Sequence, residues 1–208
     1  MLRIAQRRNR KAVLIWLALA SLVLIPLLIA AFNPLQASRN AAYVVASLSG
    51  VLALGLLLAQ PLLAAGYLPG VPMVRMRRWH RWIGSCIIIA VALHIGGLYL
   101  TSAPDTIDAL LLVSPTPFSI YGVIAMWSII LTALLVATRR RLGLKNTTWR
   151  IAHNLLAVIV VIATVVHALM IEGTMGQVSK VLLCMAVIVA TGAVVVHLRI
   201  IKPLSRRN

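Results

Sequence analysis

Acidic residues are nearly missing from this chain: Asp105, Asp108 and Glu172 are the only three, against 20 lysines and arginines in 208 residues. Charge of either sign is scarce at 11% of residues, while 62% are hydrophobic and the mean hydropathy is +1.00. A soluble domain of this length needs more polar surface. The composition therefore excludes one and describes a single domain, 1–208, almost wholly embedded in a lipid bilayer. Cysteine is also scarce. Cys86 and Cys184 stand in apolar segments without CxxC or Cys/His spacing and read as small buried hydrophobes on helices. No GxGxxG fingerprint follows a strand-like run, so no flavin or NAD(P)H site is expected in this chain. Internal repeats and low-complexity tracts are absent from the sequence as well.

What the chain has in abundance is long apolar runs. Six reach the ~20 residues that cross a bilayer, over approximately 12–32, 41–66, 81–101, 118–138, 150–171 and 179–200. The expected fold is an all-α, six-helix transmembrane bundle. The first run is longer than the roughly 7–15 apolar residues of a signal peptide, so it reads as an uncleaved anchor. The net charge of +17 raises the question of a nucleic-acid partner. Position answers it, because the basic residues lie in short segments beside the apolar runs. Arg3, Arg7, Arg8, Arg10 and Lys11 precede the first run; Arg75, Arg77, Arg78 and Arg81 lie in the second connection. Arg139, Arg140, Arg141, Lys145 and Arg150 lie in the fourth, and Arg199, Lys202, Arg206 and Arg207 follow the last. The other side holds only Arg39 and Lys180, with all three acids. The positive-inside rule then puts both termini in the cytoplasm, and no nucleic-acid partner is expected. The longest outer loop, 102–117, contains Pro104, Pro115 and Pro117, read as helix breakers.

Four histidines stand in these spans as two pairs with one spacing. The interval from His80 to His94 is the same as that from His153 to His167. Each interval is fourteen positions, which at ~100° per residue return to within roughly 40° of the same face and rise ~21 Å. The third and fifth spans run in the same direction, so His80 matches His153 in depth near the cytoplasmic face, and His94 matches His167 near the outer face. Polar side chains inside a membrane are costly and mark function. A neutral imidazole is a good axial ligand for haem iron, and two per iron favour electron transfer over oxygen binding. Two histidines of the same span are too far apart to share one small ion, which disfavours zinc or copper. A proton relay ordinarily works with carboxylates inside a span, and there are none. Two stacked haems with irons ~20 Å apart are expected.

The neighbouring residues suit that expectation. Gly84 shares a face with His80, and Gly96 and Gly97 follow His94; small residues admit a flat macrocycle or let helices pack closely. Arg77, Arg78, Arg81 and Arg150 surround the cytoplasmic-side pair, where guanidinium groups are suited to haem propionates and equally serve as topology signals. Trp79, Trp82 and Trp149 at the same boundary read as interfacial anchors. Asn154 is a candidate to orient a ligand. His197 has no partner at this spacing and reads as a packing or hydrogen-bonding residue, and Glu172 as solvated.

The segments RRWHRWIGSCIIIAVALH (77–94) and WRIAHNLLAVIVVIATVVH (149–167) resemble the ferric reductase-like transmembrane domain. That superfamily includes the membrane part of NADPH oxidases, the iron and copper metalloreductases, and the MsrQ-like haem-binding subunits of a methionine sulfoxide reductase system. The resemblance implies two b-type haems between the third and fifth spans, the inner held by His80 and His153 and the outer by His94 and His167. Oxidases and many metalloreductases carry a flavin- and nicotinamide-binding domain in the same chain; here the donor is expected to be a separate flavin reductase or quinol. MsrQ-like members share the short architecture and the His153–Asn154 pair.

Three functions follow as expectations. The first is a dihaem electron-transfer protein passing electrons outward to ferric iron, oxygen or a periplasmic redox enzyme, in a bacterial inner membrane. The second is an MsrQ-like subunit supplying a periplasmic methionine sulfoxide reductase. The third is a haem-free channel or transporter, against which stands the lack of paired Gly/Pro-interrupted spans.

Overall fold

The computed structural model describes residues 2–202 and Ser205. Arg206 and Arg207 lie outside the described residues, as do the side chains of Arg3, Arg7, Arg8 and Arg199. Within them the chain is all-helical: α1 (Leu2–Ala31), α2 (Ala41–Ala65), α3 (Met73–Thr101), α4 (Ala103–Leu110), α5 (Pro117–Thr138), α6 (Asn146–Met170) and α7 (Gln177–Val196). A 3₁₀ turn at Pro34–Gln36 and a π-helical turn at His197–Ile201 complete it. Six helices, all but α4, are long and apolar enough to cross a membrane, α1 over Asn9–Ala31. The protein is an integral, multi-pass membrane protein.

Helix boundaries follow local chemistry. The Asn40 side chain accepts the Tyr43 N–H and so caps α2. Gly66 ends α2 with a left-handed φ of 77°, a conformation that glycine adopts without penalty. α3 begins at Met73, eight residues before the expected 81. The arginines that mark the membrane boundary are good helix formers, so they end the apolar run without ending the helix. Pro104 falls in the first turn of α4 and Pro117 is the first residue of α5, where a missing N–H costs no helical bond. These two prolines therefore start helices, a correction to their reading as breakers.

The helices form two antiparallel hairpins, α2–α3 and α5–α6, joined through α4. α7 packs against both α2 and α6, and α1 lies on α2 and α7. Leu54, Leu57 and Leu58 of α2, Ile87 of α3, Val160, Val161 and Val165 of α6, and Leu183, Cys184 and Val187 of α7 form one apolar core. Lipid tails are as apolar as leucine, so close packing of small residues carries helix association in a membrane. A Cβ at Gly97 would lie 2.6 Å from the Ala42 carbonyl and 2.9 Å from the Ala46 Cβ. Cys184 is buried as expected, whereas Cys86 is exposed on the outside of α3, because its helical phase points away from α2.

The two ends of the bundle are pinned differently. At the basic end, the Trp16 indole donates to the Pro69 carbonyl at 3.1 Å, and its ring meets Trp79 edge-on. At the acidic end, Asn33 donates to the Thr174 carbonyl at 2.7 Å, Gln36 donates to Ser47, and Ser47 bonds Thr174. Lys180, only 4% exposed, donates its ammonium to the Ile171 carbonyl at 2.6 Å. A cation there offsets the negative end of α6, one turn beyond His167.

Candidate metal centre between α3 and α6

α3 and α6 run parallel, and the distance between their histidine rings fixes the register. The His80 and His153 ring centroids are 6.3 Å apart with planes crossed at 73°. Those of His94 and His167 are 6.4 Å apart with planes crossed at 82°. Two imidazoles sharing a hydrogen bond would bring their centroids to about 5 Å. A metal between two ring nitrogens at about 2 Å each would set them about 6 Å apart. Both pairs match the second spacing.

Hydrogen bonds orient three of the four rings. His94 Nδ1 donates to the Ala46 carbonyl at 2.7 Å and His167 Nδ1 to the Phe118 carbonyl at 2.8 Å. His80 Nδ1 donates to the Gln60 carbonyl at 3.2 Å, and the Gln60 amide donates back to the His80 carbonyl at 3.2 Å. A proton committed to Nδ1 leaves Nε2 with its lone pair, the form a metal ligand needs. The acceptors Ala46 and Gln60 stand on α2 at the same interval as His80 and His94, the histidines they hold.

Glycine makes room for both acidic-end rings. A Cβ on Gly50 would lie 2.9 Å from His94 Nδ1, and one on Gly122 would lie 2.8 Å from His167 Cε1. Each glycine stands four residues after the carbonyl that holds the same ring: Ala46 then Gly50, Phe118 then Gly122. One helical turn therefore supplies both acceptor and space. The Phe118 ring also meets His167 edge-on at 5.8 Å.

The basic-end pair lacks this symmetry. His153 Nδ1 is closed off from solvent and has no hydrogen-bond partner. Its ring instead stacks on Trp149, with centroids 5.3 Å apart and planes within 10°. The Arg139 guanidinium covers the Trp149 ring at 4.2 Å. Midway between the two levels, Ile87 stands seven residues after His80 and Val160 seven after His153, and both are buried in the apolar core. A layer of aliphatic side chains thus separates the two histidine pairs.

A haem fits this donor set. Among the described residues, no three His, Cys, Asp or Glu side chains gather as a metal cage. Two facing imidazoles leave an iron four positions short, which is the number a porphyrin supplies in its plane. The crossed rings and their metal-length spacing are compatible with such a plate.

The other sequence-predicted residues fall in different places. Gly84 and Gly97 face α2: a Cβ on Gly84 would touch the Gln60 side chain at 3.4 Å, and Gly97 meets Ala46. Gly97 lets α2 approach at Ala46, whose carbonyl holds His94, whereas Gly84 only borders the Gln60 side chain at ordinary contact distance. Arg77, Arg78 and Arg81 are exposed at the basic end. Arg150 and Asn154 each have an interaction partner. His197 meets Tyr67 edge-on at 5.5 Å, a packing role. Gly50, Gly122 and the three carbonyls went unread in the sequence. The glycines left a signal there, since Gly50 precedes His94 by almost the same interval as Gly122 precedes His167. A backbone carbonyl leaves none.

A family model described as ferric reductase-like transmembrane component matches residues 49–164, more than half of the chain. That stretch takes in Gly50, Gln60, His80, His94, Gly122 and His153 and stops three residues short of His167. No curated protein and no solved structure matches the chain. From the length of that match, the chain belongs to the family of ferric reductase-like transmembrane components.

Proposed function

We propose that this chain is a dihaem b-type transmembrane electron-transfer protein, folded as one domain over 1–208 with both termini in the cytoplasm. Ferric reductase-like domains generally bind haem, and the family suggests electron transfer across a membrane. The observation that carries the dihaem reading is the doubled pair of facing imidazoles, 6.3 and 6.4 Å apart. His80 with His153, and His94 with His167, would each hold one iron. Bound there, the haems supply one-electron exchange at two depths.

The chain's own work is to hold and insulate. Carbonyls of Ala46, Gln60 and Phe118 keep three imidazoles in the ligating tautomer. Gly50 and Gly122 seat the acidic-end rings, Gly97 brings α2 close enough to anchor α3, and Gly84 borders Gln60 beside the basic-end pair. Ile87 and Val160 keep water from the space between levels. Arg77, Arg78, Arg81 and Arg150 offer guanidinium groups to the propionates of the basic-end haem, and Asn154 borders the same ligand. The basic end would face the cytoplasm and a separate flavin reductase or the quinol pool. The acidic end would face the periplasm of a bacterial inner membrane, with ferric iron, oxygen or a redox enzyme as acceptor. An MsrQ-like role with a periplasmic methionine sulfoxide reductase is a special case, supported by the His153–Asn154 pair.

The test is a reduced-minus-oxidised absorption spectrum of the detergent-purified protein with haem quantified per chain. Two low-spin b-type haems are expected. One haem would overturn the dihaem assignment. None, after expression with ample haem, would overturn the electron-transfer reading and leave the haem-free channel or transporter.

A further inference from the structure

Three of the four histidines give their Nδ1 proton to a backbone carbonyl, and His153 does not. The departure is local. On α2 the two carbonyl anchors, Ala46 and Gln60, repeat the interval of the histidines; on α5 the same interval counted from Phe118 ends at Thr132. The Thr132 hydroxyl is spent on the Ser128 carbonyl of its own helix at 2.7 Å. Among the described residues, no hydrogen bond joins α5 to His153 Nδ1. The imidazole lies instead under Trp149, whose own indole Nε1 is buried without a partner. The Arg139 guanidinium lies over that indole ring at 4.2 Å.

Both features act on a bound iron in one direction. An acceptor at Nδ1 makes the imidazole more basic and favours the ferric state, so its loss at His153 favours the ferrous state. The positive charge of Arg139, held over the indole that stacks on His153, also favours the state with one electron more. At the acidic end both ligands keep their acceptors at 2.7 and 2.8 Å, shorter than the 3.2 Å bond of His80.

Resting on the dihaem reading, we propose that the two seats are unequal by construction: the haem held by His80 and His153 has the higher reduction potential and is the first to hold an electron. Each seat takes one electron, ferric to ferrous, from the reductant. The transfer onward from the basic-end seat to the acidic-end seat is then the uphill step, and the donor has to drive it.

A spectroelectrochemical titration of the full chain with both haems bound, using dithionite and ferricyanide, tests this. Two components are expected, separated by at least about tenfold in equilibrium constant, about 59 mV for one electron. His94→Ala, which removes the acidic-end seat, should leave the component of higher potential, and His80→Ala the lower. Where those variants bind no haem, Arg139→Gln gives the assignment. It should lower the higher component and leave the lower one in place. Two equal components, the reverse order, or an Arg139→Gln shift confined to the lower component would overturn the inequality while leaving the dihaem reading intact. A preparation with no haem would instead overturn the dihaem reading.

Discussion

The two levels of histidines perform one task with different support. At the acidic end, each ring is fixed by a carbonyl and a glycine one turn apart on a neighbouring helix, α2 for His94 and α5 for His167. At the basic end, only His80 has a carbonyl, and His153 is held by the flat face of Trp149. Facing imidazoles alone therefore do not define such a site. The neighbouring helix decides how tightly a ring is held and how strongly it donates to a metal.

The largest effects fall on the ligands. His94→Ala should reduce haem from two per chain to one, and a variant that keeps both would remove His94 from the ligand set. Next come the seats. Gly50→Ala and Gly122→Ala each put a methyl within 3 Å of a ring, and acidic-end haem affinity should fall about 10- to 100-fold in a haem-transfer assay. Gly84→Ala meets only the flexible end of Gln60 at 3.4 Å and should leave both affinities within a few-fold; a large loss there would erase the contrast between seats and packing positions.

Smaller effects separate the two levels further. Lys180→Met removes the ammonium from the Ile171 carbonyl at the end of α6 and should cost about 2 kcal/mol, seen as a lower unfolding midpoint in detergent. Haem loss on warming should then begin at the acidic-end level. Trp149→Leu removes the stacked face from His153 and should weaken basic-end haem retention by less than about tenfold, in line with about 0.5–1.5 kcal/mol for a ring pair. Equal release from both levels in that variant would contradict the assignment of Trp149 to His153.

The histidines were legible in the sequence because their repeated interval survives any detail of packing: helical period alone puts both members on one face. The six spans were legible from hydropathy, and α3 was misjudged only at Met73–His80, where charge marked the membrane edge and propensity carried the helix on. α4 was hidden by Pro104, whose residue type says breaker and whose position says first turn. The carbonyls of Ala46, Gln60 and Phe118 were invisible, since any residue carries one. Gly50 and Gly122 were visible only as letters, until the rings they make room for were known. The stack of Trp149 on His153 joins residues four apart on α6 and was open to a helical reading, but the missing acceptor at His153 needed α5 in place.

Everything proposed for this chain depends on each iron sitting between one imidazole of α3 and one of α6 with crossed planes. A low-temperature electron paramagnetic resonance spectrum of the oxidised, haem-loaded protein reads that arrangement. Planes crossed at 73° and 82° leave two iron d orbitals close in energy. Strongly anisotropic low-spin ferric signals are expected, with largest g values well above those of parallel-ligand haems, and no high-spin signal. A high-spin signal in stoichiometric amount, or low-spin signals of the parallel-ligand kind, would contradict the crossed bis-histidine seats.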